Sequence, residues 1–479
     1  MSSSSSRIPG GVPLELSVSE MRALLDAVRD RVVTHVASLP SQPAADVEGA
    51  AGLARELFEA EPPEAGVPAA EILDLLFDRA IPKSFNTAGP GYLAYIPGGG
   101  VFAAAVADLI SDATNRYVGV WQAAPALVQL ETNVVCWLCG LAGLPEGSGG
   151  YLATGGSLAT FTAVVAARRE KLPADFLKGT LYVSDQTHHA ISKAASLAGF
   201  PAENIRSIPS DGWFRVRVDV LAERIAEDRE AGFTPFFVCA NAGTTNTGAV
   251  DELGALADLC SRERLWLHVD AAYGGFFLLT DRGRRTMAGI ERADSVVLDP
   301  HKGLFLPYGT GALLVRDAEV LRRAHAAGAD YLPHMQGDPG FVDYCEISPE
   351  LSRAYRGLRV WLPLKLHGLG AFRRNLDEKL DIALHATQEL RTMPGVEIVA
   401  EPQLSIVAFR LVKPGLDVEA LNRLNRDLIE RVNARQRIHI SGTVLAGTFV
   451  LRICVLSFRT HLERLEEGLE DIRAALAEV

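Results

Sequence analysis

Between about residues 86 and 320, short apolar runs alternate with segments long enough for a helix, and this alternation restricts the fold more than any other feature of the chain. The runs are Leu181-Tyr182-Val183, Phe236 to Ala240, Leu265 to Val269, Ser295 to Leu298 and Ala312 to Val315. Strands separated by helical segments pair in parallel, because a parallel neighbour is reached only through a crossover of a dozen or more residues. The pattern predicts βαβ units in a mainly parallel, doubly wound sheet of the α/β class.

The flanks read differently. Residues 18 to 80 read as helices interrupted at Pro40, Pro43 and the Glu61-Pro62-Pro63 turn, with amphipathic stretches such as Ile72, Leu73, Leu75 and Leu76. This segment is too thin to fold alone. After about residue 345 come helices, strands at Leu404 to Phe409 and Phe449 to Val455, and a charged helix from about 461, an order that suits a smaller α+β domain. At roughly 150 residues per domain, the 479 residues divide into 1–85, 86–345 and 346–479, with no internal repeat or long linker between them.

Charge removes whole classes of partner. Lys+Arg 47 against Asp+Glu 59 leaves a net charge of −12, which repels nucleic-acid phosphates and anionic membranes. No run approaches the roughly 18 apolar residues of a membrane span. Met1 and the serines Ser2 to Ser6 read as a frayed tail, not a signal peptide. Six scattered cysteines do not form a disulfide framework, so the expected location is the cytoplasm. Cys136 and Cys139 form a C-x-x-C inside an apolar helical stretch, which reads as core packing rather than a metal site.

Four features could carry chemistry. In Ser295-Val296-Val297-Leu298-Asp299-Pro300-His301-Lys302-Gly303-Leu304-Phe305 a lysine lies between apolar runs, where desolvation makes an amine nucleophilic toward aldehydes. Leu265 to Asp270 is a strand ending in a carboxylate, followed by Ala271-Ala272-Tyr273-Gly274-Gly275. Ligands sit at the carboxyl ends of such strands, and an aspartate there can hold a pyridine nitrogen protonated. Thr154-Gly155-Gly156-Ser157 opens an apolar helix and makes an anion site from its N–H groups. Ser184-Asp185-Gln186-Thr187-His188-His189 puts an imidazole where a strand gives way to a helix. Each has a plainer reading alone: a snorkelling lysine, a helix cap, an ordinary helix start, a structural histidine. Together, in this order, they coincide by chance far less often.

With these motifs the chain resembles the pyridoxal-phosphate-dependent group II amino-acid decarboxylases, and within them the aromatic-L-amino-acid decarboxylases, from about residue 70 to the C-terminus. H-V-D-A-A-Y-G-G and D-P-H-K-G carry the resemblance. It implies the type I, aspartate-aminotransferase-like fold and a homodimer with active sites at the subunit interface, to which the 1–85 segment contributes packing. It also implies that Lys302 holds pyridoxal 5′-phosphate covalently, that Asp270 pairs with the pyridine nitrogen, and that His188 stacks on the ring near the substrate carboxylate. Gly156, Ser157 and His301 serve the phosphate, Thr245 approaches the ring hydroxyl, and small Ala272 leaves room on the other face. Asp299 departs from the pattern, since the aromatic members carry Asn there; a second anion beside the phosphate repels it unless a group such as His301 compensates.

The family's proton donor is a tyrosine on a mobile loop, and Tyr331 matches it in Gly328 to Gly340, a segment with the glycines and prolines of a lid. Aldehyde-forming members tend to lack that tyrosine. Gly91 to Gly100 resembles the aromatic pocket segment, so Tyr95, Pro97 and Gly98 are candidate substrate contacts, while Val118, Val120 and Trp121 are candidates for the neighbouring subunit's pocket. Core packing is the competing reading for each. The expected reaction is decarboxylation of an aromatic L-amino acid such as Tyr, Dopa, Trp or Phe. A non-aromatic substrate, oxidative deamination to an aldehyde, and a non-catalytic cofactor-binding protein are the alternatives.

Overall fold

The computed structural model describes residues 14–325 and 340–479, and the chain divides after Asn86 into two compact units. In the first, helices span Val18–Ser38, Ala50–Glu56 and Ala69–Asp74, the last continuing as a wider π-helical turn over Leu75–Ala80. Ser17 caps the first helix reciprocally: its hydroxyl accepts the Glu20 N–H, and the Glu20 carboxylate accepts the Ser17 N–H. None of these helices buries a residue, and Leu39 and Ala44 are the buried apolar residues of the unit among those described.

The second unit is built on a seven-stranded sheet: β1 (Gly149–Ala153), β2 (Gly179–Ser184), β3 (Ile205–Ile208), β4 (Thr234–Asn241), β5 (Trp266–Asp270), β6 (Ser295–Leu298) and β7 (Gly311–Val315). Their order is β1-β7-β6-β5-β4-β2-β3. The run from β3 through β2, β4 and β5 to β6 is parallel, and β7 lies antiparallel to both β6 and β1. The sheet is therefore mainly parallel, as the alternating runs require. β1 and β3 escape the sequence reading because Gly-Gly opens one and Ile-Arg-Ser-Ile forms the other, neither of them an apolar run.

Helices cover both faces, which is why the central strands read as unbroken apolar runs. Val238 and Ala240 of β4 pack with Leu267 and Val269 of β5 against Leu221, Ile225, Leu253 and Leu256 from helices Val218–Glu230 and Leu253–Glu263. Phe237, Cys239 and Trp266 face the other way, toward Ala159, Ala163 and Ile191 from helices Gly156–Lys171 and Ala190–Leu197. Strand alternation places Asp270 in register with Trp266 and His268, on the side of helix Gly156–Lys171.

A smaller antiparallel sheet holds β8 (Val396–Ala400), β9 (Ile406–Leu411), β10 (Ser441–Leu445) and β11 (Thr448–Cys454) in the order β10-β11-β9-β8. Ala446 and Gly447 turn the β10–β11 hairpin with φ of 46° and 81°, the left-handed pair that matches the twist of a two-residue hairpin. Helices Leu369–Thr392, Val418–Ala434 and Leu462–Ala477 supply Leu390, Leu428 and Leu469 to its core. Two of these strands follow the expected Leu404 to Phe409 and Phe449 to Val455 runs within a residue or two. β8 and β10 are additional, short strands with only partly buried faces.

Candidate active site

The carboxyl ends of β4, β5 and β6 and the start of helix Gly156–Lys171 enclose a cavity of about 320 Å³, a size suited to a small organic cofactor. Gly156, Ser157, His188, Thr245, Asp270, Ala272, His301 and Lys302 all line it, drawn from five separate stretches of sequence.

Lys302 sits in the short helix Pro300–Gly303, where Pro300 at the first helical position suits the fixed proline φ. A quarter of its side chain remains exposed, and its Nζ lies 3.0 Å from Asp299 Oδ2. Burial pulls the ammonium pKa down, but the charges of Asp299 and Asp270 outweigh it and leave the group above its ordinary value. The lysine is thus stored as a cation between two carboxylates, within reach of whatever enters the cavity.

Asp270 ends β5, and its Oδ1 accepts the Ala272 N–H at 3.1 Å, a local bond that fixes the carboxylate at the strand tip. His188 Nδ1 accepts the Ala190 N–H at 3.2 Å. Nδ1 therefore carries no proton, and a neutral ring presents its N–H at Nε2. Burial lowers the His188 pKa, with Asp270 opposing and His189 adding to it.

Ala159 N–H bonds the Gly155 carbonyl, so the N–H groups of Gly156, Ser157 and Leu158 precede the first such bond and point out of the helix start. A Cβ on Gly156 would lie 3.0 Å from Asp299 Oδ2 and 3.5 Å from Ala272 Cβ, so glycine keeps this corner open. Backbone donors at a helix start, a reachable lysine and a carboxylate at the far wall fit a phosphate-bearing aldehyde with a basic ring nitrogen.

The remaining candidates lie elsewhere. Tyr95, Pro97, Gly98 and Val120 do not line the cavity. Gly98 is its neighbour all the same, since a Cβ there would fall 2.1 Å from the His301 carbonyl oxygen. Tyr95 is 56% exposed and adopts φ 50°, a left-handed conformation disfavoured for tyrosine. Two bonds hold it: its N–H donates to Ser441 Oγ at 3.2 Å, and its carbonyl accepts from Arg452 Nη2 at 3.4 Å. Val118 and Val120 are 0% and 4% exposed, packed within this chain, while the Trp121 N–H donates to Asp343 Oδ1 at 2.6 Å and its ring stacks on Phe341 at 3.9 Å. Tyr331 lies outside the described residues. Of the C-x-x-C pair, Cys136 is exposed and Cys139 buried with its thiol pushed up to about 11, and no cluster of metal-binding side chains occurs among the described residues.

Sequence reasoning missed Asn241, Asp251 and Arg452. Asn241 ends β4 opposite Asp270 and lines the cavity, and its position just after the Phe236 to Ala240 run was a readable signal. Its Nδ2 donates to Ser184 Oγ and Thr187 Oγ1, both at 3.2 Å, and to Asp251 Oδ2 at 2.9 Å, bracing the loop that carries His188. Burial pushes the Asp251 carboxyl up to about 6. Arg452 reaches from β11 to donate to the carbonyls of Thr245 and Asn246, and nothing local in its sequence announces that role.

Residues 54–412 match the family described as the pyridoxal-dependent decarboxylase conserved domain. An aromatic-L-amino-acid decarboxylase of Bacillus atrophaeus is 35% identical over 468 residues, 97% of either chain. Phenylacetaldehyde synthase of Arabidopsis thaliana is 30% identical over 84% of this chain and 85% of its own. A crystal structure of Oryza sativa TDC with PLP and tryptamine superposes with a TM-score of 0.91 at 28% identity, covering 98% of this chain and 99% of that one. The parallel sheet with its smaller antiparallel partner is thus the type I fold of pyridoxal-phosphate enzymes. The chain belongs to the pyridoxal-dependent decarboxylases, and its cofactor is pyridoxal 5′-phosphate.

Proposed function

We propose that the chain removes CO2 from an aromatic L-amino acid such as tyrosine, Dopa, tryptophan or phenylalanine and releases the amine. The observation that carries the substrate class is the relationship, along nearly the whole of both chains, to an aromatic-L-amino-acid decarboxylase. Bound pyridoxal phosphate supplies an electron sink for the pair left when CO2 departs. Lys302 holds the cofactor. Asp270 keeps a proton on the ring nitrogen, and the N–H groups of Gly156 and Ser157 hold the phosphate, with His301 beside them and Thr245 toward the ring hydroxyl. His188, with its proton on Nε2, has a donor to orient the substrate carboxylate while its imidazole covers the ring, opposite small Ala272.

Tyr331 is proposed as the proton donor to Cα, from the sequence alone. A second reading, conversion to an aldehyde, is favoured by the likeness to phenylacetaldehyde synthase. Assay of amine against aldehyde under air, across the aromatic amino acids and glutamate, tests the choice. Tyr331→Phe keeps the ring but removes the donor, so with dioxygen from air as the oxidant, reduced to peroxide, and water releasing ammonia, product should shift from amine to aldehyde. An unchanged ratio with undiminished amine output would assign the proton to another group, with His188 next.

A homodimer with its active sites at the interface, packed in part through residues 1–85, is proposed on two supports. The helices of that segment bury none of their residues, and Phe102, Leu109 and Ile110 on helix Phe102–Thr114 are 43%, 54% and 45% exposed. Light scattering should give twice the chain mass, and a chain starting after Asn86 should lose it. Cytoplasmic location is proposed from six unpaired cysteines, testable by cell fractionation.

A further inference from the structure

Asp299 places a carboxylate where the cofactor's phosphate is expected, and its surroundings leave part of it unanswered. The residue is 2% exposed and its Oδ1 is buried with no hydrogen-bond partner. Oδ2 faces Lys302 Nζ at 3.0 Å and His301 Nε2 at 3.7 Å. A Cβ on Gly156 would lie 3.0 Å from Oδ2, and one on Gly155 would lie 3.5 Å from His301 Cε1. Both side chains therefore stand against the helix start whose N–H groups form the anion cradle.

The tautomer of His301 follows from its other nitrogen. Nδ1 lies 2.6 Å from the Thr310 carbonyl oxygen, which only accepts, so Nδ1 carries the ring proton. In the neutral ring Nε2 is then a bare lone pair turned toward a carboxylate. Burial holds the His301 pKa below its ordinary value against the pull of Asp299. With the ring neutral and the carboxylate ionised, two acceptors face each other with no proton between them. Lys302 partly answers this negative charge in the free chain, but commitment of that lysine to the cofactor divides its charge just as a phosphate adds more. An unprotonated carboxylate offers a phosphate only repulsion, whereas a protonated pair offers a donor.

We infer that the Asp299–His301 pair takes up one proton from solvent as the cofactor's phosphate enters the cradle, which makes cofactor capture a proton-coupled step. The proton enters between His301 Nε2 and Asp299 Oδ2 and cancels the charge of the carboxylate. Other charged or titratable groups face the pair: Lys302 on the same turn, Asp270 and His188 at the cavity wall, Tyr308, whose ring centre lies 5.8 Å from that of His301, and Arg359, whose Nη1 donates to Thr310 Oγ1 at 3.0 Å behind His301. All five remain in a variant that alters Asp299 alone. Asp299→Asn therefore isolates the pair.

The inference rests on the cofactor assignment, and its test avoids turnover. Pyridoxine 5′-phosphate keeps the ring and the phosphate but, as an alcohol, forms no bond to a lysine. Titration calorimetry of the full chain with this ester at pH 8, in buffers of different ionisation enthalpy, counts the protons taken up. The native chain should take up about one more than Asp299→Asn, and its Kd should rise more steeply with pH, by up to about tenfold per unit. Asp299→Ala should behave like Asp299→Asn and serves if the amide is not tolerated, because it too removes the carboxylate. Equal proton counts in native and variant chains would overturn the inference while leaving the cofactor assignment intact. Failure of the native chain to bind either the ester or pyridoxal phosphate itself would overturn both.

Discussion

Among the described residues, Lys302 at the cavity and Lys379 in the helix Leu369–Thr392 are both drawn in from solvent, yet they are held in opposite ways. Lys379 has no exposed side-chain surface, and its Nζ donates to the Thr460 carbonyl and to Glu378 Oε2 at 2.8 Å. Burial lowers its pKa, with Glu378 opposing. Lys302 has the reverse balance: two carboxylates lift its pKa, and a quarter of the side chain opens into the cavity. A depressed pKa is the usual mark of a nucleophilic amine, yet here the sealed lysine carries it. Reach and carboxylate neighbours, not burial, separate the lysine proposed to hold the cofactor from the sealed one.

The sharpest way to break this contrast is to remove Lys302. Lys302→Ala should lose decarboxylation, and borohydride reduction followed by peptide mapping should find the covalent cofactor on Lys302 of the parent and nowhere in the variant. A label on Lys379 or another lysine would reverse the assignment. Next in size comes Asp270→Asn, which leaves Lys302 reachable but removes the charge that holds a proton on the ring nitrogen. A loss of about 4 kcal/mol of transition-state stabilisation corresponds to roughly a thousandfold in kcat/KM, and a variant within a few-fold of the parent would exclude that role.

The same strand supplies a test of burial without function. His268, two residues before Asp270, is fully buried, with Nδ1 2.8 Å from Ser295 Oγ, and burial pushes its pKa down to about 4. The unfolded imidazole takes up a proton near pH 6.5, so the unfolded state binds more protons between that pH and about 4. Stability should be unaffected at pH 7 and fall on acidification through this window, by up to about 3 kcal/mol. Urea unfolding at several pH values should show the slope in the parent and a shallower one in His268→Gln; equal slopes would mean another group titrates.

The smallest effect belongs to Lys379→Met. It leaves the Thr460 carbonyl without this donor but also removes a buried charge, so the net change should stay within about 1–2 kcal/mol. Cofactor content and turnover should stay at the parent's level. Loss of cofactor in this variant would erase the distinction between the two lysines.

Much of the fold and site was legible because the signals are contiguous. An apolar run between helix-length segments reports a buried parallel strand at once, since both of its faces need apolar cover. Asp270 and Lys302 follow such runs directly, and Gly156 opens a helix directly. Tyr95 was less legible, because its strained φ and its tethers to Ser441 and Arg452 join positions more than 340 residues apart. The short, only partly buried β8 and β10 lacked a period that local reading could use.

By itself the sequence determined the α/β class, the mainly parallel sheet and the choice of Lys302 and Asp270 as candidates, which the structure places on one cavity, because each depends on residues adjacent in the chain and on burial that a strand or helix imposes locally. Only the tertiary structure decided the charge state around them. That Lys302 lies 3.0 Å from Asp299, that His301 turns its bare nitrogen to the same carboxylate while Thr310 holds the other, and that Arg452 clamps the Thr245 loop are matters of separation in space. Electrostatic and hydrogen-bond energies depend on those distances and on shielding from water, and no spacing along the chain encodes either.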